Sequence, residues 1–304
     1  MIPLVPNTFS DMNSRDYRAF LRAPVIIGGV GGSGTRLIAE MLRSAGLEIG
    51  NDLNKALDNR HFQFVISKDT TSVNWSAARM EPYLQLFTSL QFGRGWNFRT
   101  FKTLYRTGVG HNPAIRALPG KLRHLRHVYI RARRTRVTPA DAMLWGWKNP
   151  RTHLYLPSLN AYFPECRYIH VIRHGLDMAF SKNLNQLKYF GRHYGLQGDD
   201  PENLSPATQL EFWIRSNTRS VAYCREHMPE RSLLLNYDRL CQDPAKHLHE
   251  VLQFTGLPDD EGTIAKLSAL IKPTSTSRYK SQDLSQFTNT QLDAVRHFGF
   301  DIES

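Results

Sequence analysis

Four glycines, a serine and a threonine crowd into the eight residues Gly29 to Arg36, which read G-V-G-G-S-G-T-R. A loop of this composition turns successive backbone N–H groups toward an anion, and a helix starting behind it adds the positive end of its dipole. The chemistry this serves is phosphate binding, and several ligand classes compete for it. Gly29 and Gly34 have the spacing of a nucleoside triphosphate loop, but Thr35-Arg36 stands where lysine and a metal-holding hydroxyl belong. Gly29, Gly31 and Gly34 also satisfy the dinucleotide pattern G-x-G-x-x-G, with Asp52 downstream as a ribose partner. That pattern is met by many glycine-rich loops. A tight turn without a ligand is a further alternative, although four glycines exceed what packing asks. The remaining reading is a phosphate site without a metal, in which the hydroxyls of Ser33 and Thr35 donate where an ion would otherwise sit.

A second group of residues suits the same chemistry. Arg173 ends the apolar run Tyr168 to Ile172, and Ser181 follows at the eighth position after it. A guanidinium forks onto phosphate oxygens and a serine adds one donor. Taken singly, Arg173 is an ordinary surface charge and Ser181 an ordinary helix residue. Two further segments accompany them: Lys148-Asn149-Pro150-Arg151 before this run, and Tyr237-Asp238-Arg239-Leu240 after the run Ser232 to Asn236.

In this order, these motifs resemble the sulfotransferase family that uses 3′-phosphoadenosine 5′-phosphosulfate (PAPS) as donor. The resemblance implies an α/β fold with a central parallel sheet flanked by helices and a P-loop-like nucleotide site. It implies that Gly31, Gly32, Ser33, Gly34, Thr35 and Arg36 hold the 5′-phosphosulfate, and that Arg173 and Ser181 hold the 3′-phosphate. Tyr237 then lies near the adenine, and Lys148 corresponds to the Lys-x-Pro element of the carbohydrate sulfotransferases. The product nucleotide is adenosine 3′,5′-bisphosphate (PAP), the acceptor carries a hydroxyl, and no metal takes part. One departure stands out: many relatives carry Lys or Arg where this chain has Gly32. Lys148 or Arg36 must then supply that charge. A non-catalytic relative that binds nucleotide or polyanion is the alternative, and a dinucleotide-dependent oxidoreductase a more distant one. For the base that takes the acceptor proton, Asp52, Asp58 and His61 compete. Asp58 shares a face with Asn54 if that segment is helical. Either carboxylate also suits the commoner job of capping a helix.

The elements that position these residues follow from periodicity. Ala23 to Gly28 is a short apolar, β-branched run that reads as a buried strand, and Leu37, Ile38, Met41 and Leu42 mark the helix behind the loop. The spacing predicts a helix over His153 to Phe163 and strands at Tyr168 to Ile172 and Ser232 to Asn236. It predicts further helices from Gly175, over Pro206 to Met228, and from Pro244 to Phe254. Alternating strands and helices give a parallel sheet. The chain of 304 residues is expected to form one domain, 1–304, with a helical or irregular insertion at 74–139.

Composition narrows the class. A hydrophobic fraction of 41% supplies an ample core. Three unpatterned cysteines argue against a disulfide framework and a zinc site. No apolar run approaches the roughly 20 residues that span a bilayer. Met1 to Ser10 lacks the pattern of a signal peptide, so the cytoplasm is the expected location. The net charge is +12, and Lys121 to Arg136 alone holds seven Lys or Arg and no acid. This segment reads either as a helix with a solvated basic face or as an electropositive wall for an anionic glycan acceptor. Nucleic acid is a weaker match, because no nucleic-acid module accompanies it.

Overall fold

The computed structural model describes residues 14–67, 69–110, 126, 128–130, 132, 137, 144–196, 204–272 and 277–302. Most of Lys121 to Arg136, including Arg133 and Arg134, lies outside the described residues. The four strands are β1 (Val25–Gly28), β2 (Gly146–Lys148), β3 (Arg167–Ile172) and β4 (Ser232–Asn236), joined in one parallel sheet of order β2-β1-β3-β4 and flanked by helices. The α/β architecture anticipated from the motifs is therefore present. β3 and β4 run in register from Tyr168 opposite Ser232 to Ile172 opposite Asn236.

The chain divides into two compact units. The first takes residues 1–26, 46–149 and 157–167. Its core is aromatic: Trp145, Trp147, Phe62, Phe87 and Phe163 are fully buried, and Phe62 stacks on Trp147 with ring centroids 5.4 Å apart. Gly146 lies so close to Val25 that a Cβ would overlap the Val25 carbonyl, which explains the glycine between two tryptophans. Helices Ala77–Phe92 and Phe98–Gly110 lie within the region 74–139 expected to be helical or irregular, and most of its remainder lies outside the described residues.

The second unit takes residues 27–45, 150–156 and 168–304. Helix Thr35–Ser44 buries Ile38, Ala39, Met41 and Leu42. Helix Pro206–His227 begins with Ser205 accepting from the Thr208 N–H at 3.1 Å and with proline in its first turn. Its inner face is partly polar, because Asn217 Oδ1 accepts from His170 Nε2 at 2.8 Å while Asn217 Nδ2 donates to the Trp213 carbonyl. The anticipated helix at 153–163 instead starts at Leu156, after a 3₁₀ segment Pro150–Tyr155. Pro157 sits in the first turn of Leu156–Tyr162, where its missing N–H costs nothing.

Burial lowers the pKa of two histidines in this unit, His153 to about 3 and His170 to about 4, and His170 adds a repulsive contribution at His153. Both stay neutral in the folded chain, whereas the unfolded chain protonates them near 6.5. The unfolded state therefore binds more protons below about pH 6.5, and stability falls on acidification by about 1.4 kcal/mol per pH unit for each group. The loss continues down to about 4 for His170 and about 3 for His153. Urea unfolding at stepped pH is expected to show this slope, and His153→Gln to reduce it by one proton. An unchanged slope in the variant would remove His153 from the acid limb.

Candidate active site

The glycine loop leaves β1 at Gly28 and ends where Gly34 caps helix Thr35–Ser44. Gly34 has φ +97°, and a Cβ there would run into the Tyr237 ring, so backbone conformation and packing both demand glycine. The N-cap Gly34 has no side chain to cap this helix. Gly32 has φ +107° and is flanked by Met178, with Ser181 Oγ 4.0 Å from where its Cβ would lie. Ser33 is buried, and its hydroxyl has no hydrogen-bond partner among the described residues. Thr35 is buried at the first turn, whereas Arg36 is exposed.

Arg173 leaves β3 and is 9% exposed. Its guanidinium lies 5.3 Å from the centroid of the Tyr237 ring, and Nη2 is 3.6 Å from Asp177 Oδ2. The loop, Arg173, Ser181 and Tyr237 thus converge within the second unit, although Arg173 follows Ser33 by 140 positions in the sequence: Gly34 touches Tyr237, Tyr237 faces Arg173, and Gly32 neighbours Ser181. Ser181 lies beyond the short helix Gly175–Ala179 and accepts from the Asn183 N–H at 3.2 Å, so it belongs to a turn, not to the helix expected there.

Three residues near this group carried no sequence signal. Asp177, fully buried, accepts from the N–H groups of Ser277 (2.9 Å) and Tyr279 (3.1 Å). His174 Nδ1 accepts from the Leu176 N–H at 3.2 Å, which assigns the ring proton to Nε2 and its donation to the Asp301 carbonyl at 3.0 Å. Gln186 Nε2 is buried and lies 3.4 Å from where a Gly31 Cβ would be, while its Oε1 meets His153 Nε2 at 3.2 Å. Next to Tyr237, burial raises the Asp238 carboxyl above its ordinary pKa, and its Oδ2 accepts from the His174 N–H at 2.8 Å.

The remaining candidates sit in the first unit. Lys148 Nζ, 3% exposed, pairs with Asp58 Oδ1 at 2.5 Å and donates to the Ala56 carbonyl at 2.9 Å. Asp58 Oδ2 accepts from Asn54 Nδ2 at 2.8 Å. The segment is a turn, not the helix that would align Asn54 with Asp58: Asn54 Oδ1 accepts from the Ala56 and Asp58 N–H groups, and Leu57 has φ +61°. Asp52 Oδ2 lies 3.4 Å from His61 Nε2, both side chains buried.

A model of the sulfotransferase family matches residues 24–261. The chain belongs to the sulfotransferase family. Solved structures similar to it include the sulfotransferase domain of the olefin synthase of Synechococcus PCC 7002, at 15% identity and TM-score 0.49, covering 92% of this chain and 96% of that one. A sulfotransferase of Mycobacterium tuberculosis H37Rv is similar at 14% identity and TM-score 0.44, covering 94% and 80% respectively. The sulfotransferase domain from the curacin biosynthetic pathway has 12% identity and TM-score 0.49, covering 92% and 99%. No curated protein matches. Among the described residues of this sulfotransferase-family chain, no cluster of His, Cys, Asp or Glu could hold a metal ion, and no helix is long and apolar enough to cross a membrane.

Proposed function

We propose that this chain transfers the sulfuryl group of PAPS to a hydroxyl acceptor. The observation that carries the reading is the meeting of Gly34, Tyr237 and Arg173, which joins the glycine loop to the second phosphate motif. The buried, unpartnered Ser33 hydroxyl and the left-handed glycines fit a phosphate cradle. When bound, PAPS supplies a sulfur whose bond to the phosphate oxygen breaks as a bond to the acceptor oxygen forms, leaving PAP.

The chain's own residues divide the remaining work. Gly31 to Thr35 offer backbone N–H groups and two hydroxyls to the 5′ side. Arg173 and Ser181 bind the 3′-phosphate, and Tyr237 packs near the adenine. Lys148 takes the cation role that Gly32 does not fill, with Arg36 the exposed alternative. Asp52 suits proton removal better than Asp58, because both Asp58 oxygens already accept from Lys148 and Asn54. His61 beside Asp52 orients that carboxylate. The basic composition around Lys121 to Arg136 favours an anionic acceptor such as an acidic glycan.

Calorimetry with PAP and with AMP tests the nucleotide assignment. Loss of the 3′-phosphate is expected to weaken binding by about 1.5–3 kcal/mol, the scale of hydrogen bonds to a charged group. Arg173→Ala should erase most of that difference while AMP affinity changes little. Equal affinity of the unaltered protein for the two nucleotides would sink the role of Arg173 and Ser181.

A further inference from the structure

Helix Phe98–Gly110 is built inside out. It buries Thr100, Thr103 and Thr107 together with Leu104, and presents Phe98 (83% exposed), Phe101 (49%) and Tyr105 (38%) outward. The buried threonines satisfy their hydroxyls on the helix itself, Thr103 on the Arg99 carbonyl and Thr107 on the Thr103 carbonyl, both at 2.9 Å. Among the described residues five large hydrophobic side chains are exposed, and three of them lie on this helix. Their spacing of three and four residues puts them on one stripe. Single exposed aromatics are ordinary, but a stripe of them over a threonine-lined inner face is not. Trp96 extends it, its ring centroid 5.2 Å from that of Phe101.

The charge of the same region is equally one-sided. Lys102 and Arg106 are exposed on the stripe's flank. From Pro82 to Ala140 the sequence holds twelve Lys or Arg and no Asp or Glu, which equals the net charge of +12 of the whole chain. The rest of the chain is electrically balanced. Exposed phenyl rings flanked by cations match the boundary of an anionic bilayer, where rings enter the acyl edge and cations meet lipid phosphates. A soluble glycan would explain the cations but not a phenyl ring standing 83% exposed on the outer ridge of a helix.

We infer that helix Phe98–Gly110 docks this protein peripherally onto an anionic lipid surface, with Phe98 and Phe101 entering the interface and Lys102 and Arg106 contacting headgroups. This inference does not depend on the donor or the acceptor proposed above.

Flotation of the full-length protein with phosphatidylcholine vesicles, with and without phosphatidylglycerol, tests it. Binding is expected only to the anionic vesicles and should weaken as salt rises. Phe98→Ser with Phe101→Ser should lower partitioning on the order of tenfold, from the loss of buried apolar surface. Lys102→Gln with Arg106→Gln should lower it about fivefold for each cation removed. PAP affinity of both variants should match the unaltered protein, as should thermal unfolding of the Lys102/Arg106 variant. Phe98→Ser alone, at the most exposed ring, separates lost docking from the packing that Phe101 makes with Trp96 and Tyr129. No flotation with anionic vesicles overturns the inference, as does flotation that neither variant changes. Binding to heparin but not to vesicles overturns it in favour of a polyanion face. A dimer that the Phe98/Phe101 variant dissociates, without vesicle binding, overturns it in favour of self-association.

Discussion

Lys148→Ala is expected to lower turnover on the order of a hundredfold while leaving PAP affinity nearly unchanged. A cation that neutralises charge developing only during transfer contributes to the transition state and not to ground-state binding. The same substitution carries a stability cost, because it strands Asp58, whose side chain is 18% exposed, without its partner at 2.5 Å. Breaking such a pair costs about 3 kcal/mol when fully buried, and partial exposure of Asp58 places this site below that. The double variant Lys148→Ala, Asp58→Ala separates the two effects. It removes both charges, so stability should largely return while turnover stays low. Turnover is read with PAPS and a panel of phenolic and sugar hydroxyls, and stability by urea unfolding. If the single variant keeps full turnover, the cation role passes to Arg36; if turnover returns with stability in the double variant, the pair is purely structural.

Gly34→Ala should weaken PAP binding roughly a hundredfold while the sheet stays folded. The methyl group would meet the Tyr237 ring, and the residue would be held at φ +97°, where L side chains are strained. Relief requires the loop or Tyr237 to move, and either movement separates the two parts of the proposed nucleotide site. Strain on the order of 3 kcal/mol corresponds to roughly a hundredfold in affinity. The companion variant Gly34→Ala, Tyr237→Ala removes the overlap but not the strained φ, so binding should return only in part. Unaltered PAP affinity in the single variant would show that loop and ring are not coupled.

Much of this arrangement was legible in the sequence because its motifs impose local constraints. A β-branched run, a glycine loop and a 3.6-residue pattern identify β1, the loop and helix Thr35–Ser44 from neighbouring residues alone. Arg173 and Ser181 were legible as a spaced pair on a strand end. The turn at Asn54 to Asp58 was not, because Asn and Asp suit a helix cap and an Asx turn equally, and Lys148, ninety residues away, decides between them. Asp177 and Gln186 were silent for a related reason. Asp177 acts on backbone N–H groups a hundred residues downstream, and one-dimensional spacing carries no trace of that. Helix Phe98–Gly110 shows the periodicity expected of an amphipathic helix, but with the assignment of its faces reversed.

The discontinuity of the second unit has a consequence for how the protein is made. Its glycine loop belongs to residues 27–45, yet the rest of the unit lies at 150–156 and 168–304. Loops spanning about a hundred residues must close before any of those contacts form, and such long-range closure slows folding. On the ribosome, the glycine loop emerges long before Tyr237, and longer still before the Asp301 carbonyl that accepts from His174 Nε2. The apolar strand β1 therefore waits with neither sheet neighbour until β2 and β3 emerge at 146–172, and its loop waits longer for Tyr237. That interval is when this chain has most need of chaperones, and a nascent chain stalled before Tyr237 would lack the contact that holds the loop in shape.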